Sequence, residues 1–521
     1  MYDSHSNSTL YWRALAAFAL WLGFYGLALG IIAALGWLTF LQIFVLDRVH
    51  PVLVFVSGTI IFFIVAAIIP RRDPFVAPGL LLQAHEHPKL FGEIETVAQA
   101  MNQRTPQEVY LIHEANAWVA VRGPFWNARR MLAVGYPVLH GLTQNELRAV
   151  LAHEFGHYAG GDTQLTPWIY HTRQVLSRTV DNLSGNLLDF LFIGYAKLFL
   201  RVTNAISRQQ ELAADRTAAR IAGGESVVSG LKKLATLAPG HEHFWHTEVV
   251  PLLDSGYLPT LHTGFDQYCR NPFIQKIIKD ALAEELRIED VDEYDTHPPL
   301  AERIRNVHAF VSSGPRNHPE PASAWLERSP DLERRLLAAV FPDAGVEALE
   351  DIAWTEAMAR VYLPGYVRTA REHAAEVAGL RLADLPAWRD DPFPLFEKLD
   401  EYLDADLPRA ELLTQLGSMF GPLITALLHT RGAEVVCDPG EPVYVRAPFG
   451  KLRPFWIFAD LESGELAPER WKETCDAYGI GDADLGQLCE QLPADDAAAA
   501  AAGDNADPTA PSDETAPEVD A

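Results

Sequence analysis

The sequence predicts a mostly helical α+β chain whose first seventy or so residues belong in a bilayer. Two uncharged apolar runs at the N-terminus, then a stretch where short β-rich runs alternate with long amphipathic ones, carry that reading. A second α+β-looking region and an Ala-rich acidic tail follow.

Ala14–Leu46 and Val52–Ile69 contain no charged residue. Crossing a hydrocarbon core of about 30 Å takes roughly 20 apolar helical residues. The second run just spans, and the first overshoots, so it must tilt, bend near Gly36 or lie partly in the interface. Asp47 to Pro51 is polar and ends in proline, which marks the tip of a helical hairpin with spans at about 14–36 and 52–70. A signal peptide is the competing reading, but the first run is too long for an h-region and has no convincing cleavage site. Trp12, Trp21 and Trp37 suit interfacial anchors. Arg13, Arg71 and Arg72 flank the outer ends, against Arg48 at the tip. The positive-inside rule then places both outer ends in the cytoplasm, at the cell membrane (the inner membrane of a bacterium).

After the hairpin (1–72), residues 73–312 read as one mixed domain. A helix is expected over Glu93–Met101, and strands over Val109–Ile112, Ala117–Val121 and Met131–Val134, with Gly123-Pro124 as a turn. Thr143-Gln144-Asn145-Glu146 has the form of a capping box, so a helix should start there and stop at Gly160-Gly161. A second long helix should end at Gly223-Gly224. Pro315, Pro319, Pro321 and Pro330 mark a boundary over 313–330. The region 331–492 shows helical periodicity through Leu412–Leu428, β-like runs at Val443–Val445 and Phe455–Phe458, and a closing helix near Trp471. Residues 493–521 lack Lys, Arg and aromatic residues and read as a disordered tail.

Composition excludes some functions. Acidic residues outnumber basic ones 69 to 42, a formal charge of −27, which argues against nucleic acid as a partner. Cys269, Cys437, Cys475 and Cys489 are too few for a disulfide scaffold and lack metal-ligand spacing.

His153-Glu154-Phe155-Gly156-His157 fits H-E-x-x-H. Four residues are just over one helical turn, so both imidazoles face one way and can share a zinc, with Glu154 beside them to take a proton from a water that the metal activates. A third protein ligand is needed. The metzincin extension fails because Thr163 stands where it requires histidine. Glu211 is the better candidate: Glu211 and Asp215 are again one turn apart, so one carboxylate can bind metal while the other accepts from a ligating histidine. A solvated acidic face is the alternative for that pair, and the nearby H-E-x-x-H tips the balance toward metal. His241-Glu242-His243-Phe244-Trp245-His246 is a tempting second cluster, but nothing in its pattern supplies supporting residues.

The sequence resembles the HtpX-like membrane zinc endopeptidases, the family that also contains the CAAX prenyl endopeptidases. Asn116-Ala117-Trp118, Leu151 to His157, Ser207-Arg208 with Glu211 and Asp215, and Thr296-His297-Pro298-Pro299 with Arg303 carry the resemblance, over less than half the chain. It implies a gluzincin-type zinc peptidase domain with a small edge-strand sheet. One zinc per chain would be held by His153, His157 and Glu211, with Glu154 as general base. Asp215 and Arg208 would support the ligands. His297 and Arg303 would stabilise the oxyanion or adjust the metal site. Asn116, Ala117 and Trp118 would pair with an extended substrate. Some relatives carry further spans between the two motif helices; here that interval holds Arg173, Arg178, Asp181, Asp189 and Lys197, so Leu187–Leu200 reads as a core or membrane-resting helix. The expected activity is peptide hydrolysis in membrane-protein quality control or processing, with polypeptides, membrane proteins among them, and the bilayer as partners. The alternatives are a processing peptidase for lipid-modified peptides such as prenylated C-termini, and a non-proteolytic membrane adapter or holdase with a structural zinc. Oligomeric state is not legible.

Overall fold

A computed structural model describes residues 4–46, 49–69, 75–123, 128–159, 172–173, 175–180, 189–288, 290, 292–310, 319–327, 331–392, 395, 398–399 and 407–493. Asp47, Arg48, Arg71, Arg72, Gly160, Gly161, Thr163, half of the expected Pro-rich boundary and the tail from 494 lie outside them.

The chain forms two compact units, Met1–His241 with Ile278–Ala344, and Glu242–Ile277 with Gly345–Ala521. In the first, α1 (Ser4–Phe40) runs through Gly36 without a break and widens into a π turn at Leu41–Val45. α2 (Pro51–Ile68) opens on Pro51, whose missing N–H costs nothing at a helix start. Leu15–Val45 and Pro51–Ile68 are long and apolar enough to cross a membrane, and they keep much of that surface exposed, Phe55 at 74% and Phe62 at 66%.

The sheet has the order β1-β2-β4-β3, built from β1 (Leu80–Leu81), β2 (Glu108–Ile112), β3 (Ala117–Arg122) and β4 (Arg129–Gly135). β2 and β4 pair in parallel; β1 and β3 run antiparallel to their neighbours. β2 is buried along its whole length, whereas β3 is only half-buried and, among the described residues, pairs on one side. α3 (Pro88–Ala100) buries Leu90, Ile94 and Val97 at helical spacing. Gly135 ends β4 where a Cβ would collide with the Glu114 carbonyl, so only glycine lets the chain turn there.

α4 (Tyr136–Gly141) leads to α5 (Gln144–Ala159), which carries H-E-x-x-H. Its capping box is formed: the Thr143 N–H donates to Glu146 Oε2 at 2.7 Å and the Glu146 N–H to Thr143 Oγ1 at 3.3 Å. α6 (Asp189–Ala222) is one continuous helix with two environments. Its first half buries Phe192 and Phe199 in a cluster with Phe24 and Ala28 of α1, Ile64 of α2, and Val175 and Leu176. Its second half packs along α5. Gly223, at φ 88°, ends it before α7 (Gly224–Phe244) begins.

In the second unit β5 (Tyr257–Pro259) pairs in parallel with β6 (Glu350–Ile352). That pairing ties residues 242–277 to the C-terminal region, a division the hydropathy pattern alone does not suggest. β7 (Glu434–Val436), β8 (Tyr444–Ala447) and β9 (Gly450–Leu452) form an antiparallel sheet in sequence order. A helix over Arg409–Thr430 is also apolar enough to span, but 67% of its apolar window is buried in this unit, so core packing accounts for it. Phe455–Phe458, expected as strand, is instead a 3₁₀ turn (Pro454–Trp456) opening the helix Ile457–Ser463. Pro454 suits a first helical turn, and the backbone at Phe455 lies so close to Gly417 that a Cβ there would strike its carbonyl.

Candidate metal centre

α5 and α6 cross at Gly156 and Ala214, where a Cβ on Gly156 would stand 3.2 Å from the Ala214 Cα. The two small residues bring the backbones together and set His153, His157 and Glu211 face to face. His153 Nε2 and His157 Nε2 are 3.2 Å apart; Glu211 Oε2 is 3.4 Å from the first and Glu211 Oε1 3.3 Å from the second. Among the described residues this is the group of His, Cys, Asp and Glu side chains placed to hold a metal ion. An ion with ligand bonds of about 2.0–2.1 Å in tetrahedral geometry separates its ligands by about 3.3 Å, so the spacing fits zinc. Glu211 Oε2 is buried and makes no hydrogen bond, a costly state that a cation would relieve.

Around these three, Asp215 Oδ1 lies 3.0 Å from His153 Nδ1, and Asp215 is 1% exposed. Arg303, from the helix Leu300–Val307, donates through Nε and Nη2 to both Asp215 oxygens at 2.9 and 2.7 Å, and Nη2 is 3.4 Å from Glu211 Oε2. Burial alone would raise both carboxyls; for Glu211 the two histidines, and for Asp215 Arg303 with His153, hold them below the usual range instead. Glu154 goes the other way, raised by burial against the pull of His153 and His157.

The other expected site residues are distributed differently. His297 is outside the metal group; its side chain is 59% exposed, with Nδ1 3.2 Å from Thr296 Oγ1 and its N–H donating to Asp295 Oδ1. Arg208 does not reach Asp215's carboxylate but donates to the Asp292 and Asp295 carbonyls at 3.1 and 2.6 Å. Asn204 joins it by donating to the Tyr294 carbonyl at 2.7 Å, and Arg201 pairs with Glu293. One face of α6 thus clasps the loop leading to His297. Asn116 accepts from the Ala117 N–H, and Ala117 and Trp118 open β3, the edge strand, against which α5 packs. Gly156 and Asn204 were not singled out by sequence; Ala213-Ala214 one helix away was the available sign of a close crossing. In the His241–His246 run, His243 Nδ1 lies 2.9 Å from the Tyr268 hydroxyl, and among the described residues the run joins no metal-holding group.

Residues 84–311 match Peptidase family M48. The chain carries an M48 peptidase domain. Among curated proteins, this chain is similar to "Protease HtpX homolog" of Neisseria meningitidis (serogroup C / serotype 2a), 28% identical over 195 residues, or 34% of this chain and 69% of that one. "Protease HtpX" of Shewanella halifaxensis is 29% identical over 27% of this chain and 58% of its own, and that of Hahella chejuensis 27% identical over 24% and 48%. No solved structure gives a significant match. The M48 match stops at 311, so the Gly345–Ala521 portion of the second unit lies beyond it.

Proposed function

We propose that this protein is a membrane-anchored zinc metalloendopeptidase. One observation supports the reading above all: three donor side chains from two crossing helices converge at 3.2–3.4 Å, with the raised carboxyl of Glu154 on the same helix turn. His153, His157 and Glu211 would hold a zinc ion, whose Lewis acidity would be available to a peptide carbonyl and to water. Glu154 takes a proton from that water and returns it to the departing amine nitrogen; a carboxyl that burial raises above its ordinary value suits both transfers. Asp215 fixes the ring of His153, and Arg303 fixes Asp215. The free edge of β3 would receive an extended polypeptide through main-chain hydrogen bonds, tolerating varied side chains. The apolar hairpin would hold the domain at the membrane with its outer ends in the cytoplasm, a setting for quality control or processing of membrane proteins.

Glu154→Gln tests the assignment. Detergent-purified variant should retain close to one zinc per chain by metal analysis and lose casein cleavage. Full cleavage by the variant would remove the mechanism, and loss of zinc together with activity would give Glu154 a structural role.

A further inference from the structure

Arg173 is a half-buried cation that meets no anion among the described residues. From the helical residues 172–173 and 175–180, its Nη2 donates to Thr203 Oγ1 at 2.9 Å and to Asn204 Oδ1 at 2.6 Å, both on α6. Thr203 and Asn204 are 0% and 1% exposed. Arg173 Nε is buried without a hydrogen bond, whereas Nη1, equally unbonded, is not enclosed. Burial lowers the pKa of Arg173, and no carboxylate acts on it to raise it. A guanidinium drawn this far out of water without a counter-charge is costly, and an anion reaching Nη1 would relieve it.

The fold sets its depth. α6 runs antiparallel to α1: the Phe192 and Phe24 rings lie 6.2 Å apart, and one turn further on the Tyr195 hydroxyl donates to the Leu20 carbonyl. Carried on at the same rise per residue, that register brings Asn204 about level with Trp12. Trp12 is 65% exposed and stands just before the apolar span Leu15–Val45, the position of an interfacial anchor. Arg173 therefore lies at headgroup level, one turn along α6 from Phe199 and the apolar cluster that also holds Val175 and Leu176. Lys197, seven residues before Asn204 and so on the same side of α6, is exposed and in no ion pair among the described residues. Its long side chain can extend from the apolar zone to the same level.

We propose that Arg173, with Lys197, binds the phosphate of an anionic phospholipid at the membrane surface. At this depth lipid phosphate is the abundant anion, and guanidinium N–H groups suit its oxygens. Asn204, which accepts from Arg173, also donates to the Tyr294 carbonyl at 2.7 Å, so the headgroup would bear through one side chain on the loop leading to His297. The depth rests on the membrane-anchored reading; the phosphate contact involves neither metal nor cleavage.

Thermal unfolding of the full chain in detergent tests this. Phosphatidylglycerol should raise the unfolding temperature saturably, and phosphatidylcholine at equal concentration should not. Arg173→Gln should weaken the phosphatidylglycerol effect at least about tenfold, a change of about 1.4 kcal/mol. Lys197→Gln should weaken it in the same direction, and Arg305→Gln, at an exposed arginine of the same unit, should not. Partly buried charges are screened little, so most of the effect should survive about 0.5 M salt. Should Arg173→Gln not fold, the unsubstituted chain gives a second measurement. Phosphatidylglycerol with a diazirine beside its phosphate should, on irradiation, label residues 172–180 or 197–204 well above 300–307, read by mass spectrometry. Equal stabilisation by the two lipids, equal losses in Arg173→Gln and Arg305→Gln, or labelling no greater than at 300–307 would overturn the proposal. So would the same stabilisation by inorganic phosphate, or by a peptide with a free C-terminal carboxylate. Flotation with phosphatidylcholine vesicles separates the two readings: a chain that does not float loses the membrane anchor and this site with it, whereas one that floats but does not prefer phosphatidylglycerol overturns this proposal alone.

Discussion

Arg303 sits against Asp215, with Nη2 also 3.4 Å from Glu211 Oε2. Of the two roles that the family resemblance suggests for Arg303 and His297, adjusting the metal site is the one this contact favours for Arg303. Arg303→Ala would leave Asp215 buried with one partner fewer and the His153 ring less firmly held. Metal affinity should fall about 10–100-fold, as for loss of other residues supporting metal ligands, read by zinc release to a chelator. His297→Ala should leave that release unchanged, since its side chain is exposed and turned to Thr296. Its turnover then decides its role: a loss of about 10²–10³-fold marks an oxyanion donor, wild-type turnover a structural turn. His153, Glu154 and His157 were legible because their spacing is local, and Glu211 with Asp215 because a second one-turn pair repeats the pattern. Arg208 was not, because its partners Asp292 and Asp295 are 84 and 87 residues away, and only the fold decides which carbonyls a surface arginine meets.

At the scale of elements, the α5 start was readable down to its capping box, while its deeper anchoring was not. Glu146 is fully buried and also meets Ser229 at 2.6 Å and Lys233 at 2.7 Å, both on α7. Burial opposes its charge, but Lys233, Ser229 and the Thr143 N–H outweigh it and hold its carboxyl below 4.5. A depressed folded-state pKa stabilises the fold above the unfolded value, and that stabilisation is lost as pH falls through the folded one. Glu146→Gln should therefore cost about 1–3 kcal/mol at pH 7. Thermal unfolding of the detergent-solubilised chain should show this gap closing as pH drops below 4.5. A gap that is constant with pH would leave shape, and not charge, as the contribution of Glu146. Phe455–Phe458 shows the opposite limit of pattern reading: four consecutive apolar residues fit a strand or a buried turn equally, and contact with Gly417 selects the turn.

For the molecule as a whole, the question is what attaches the M48 domain to the bilayer. The hairpin was plain from its uncharged runs, but α6 gave an ambiguous signal, since Asp189 and Lys197 interrupt the apolar stretch Leu187–Leu200. Burial divides the helix: Phe192 and Phe199 are both 0% exposed in the cluster with Phe24, Ala28, Ile64, Val175 and Leu176, while Phe190 and Leu198 are 65% and 48% exposed on the same helix. α6 therefore joins the apolar hairpin at one end and presents Glu211 at the other, about 20 Å along its axis from Phe199 at 1.5 Å per residue. Removing residues 1–70 would uncover Phe192 and Phe199, each worth about 1.5–3 kcal/mol of burial, beside apolar residues that are already exposed. The truncated chain should accordingly stay with vesicles after a high-salt wash and aggregate when detergent is withdrawn. Adding Phe192→Ser and Phe199→Ser to the truncation should shift it toward the soluble fraction. A truncated chain that is monodisperse without detergent would show that the hairpin alone provides the anchor, and that the first half of α6 needs no lipid once its cover is gone.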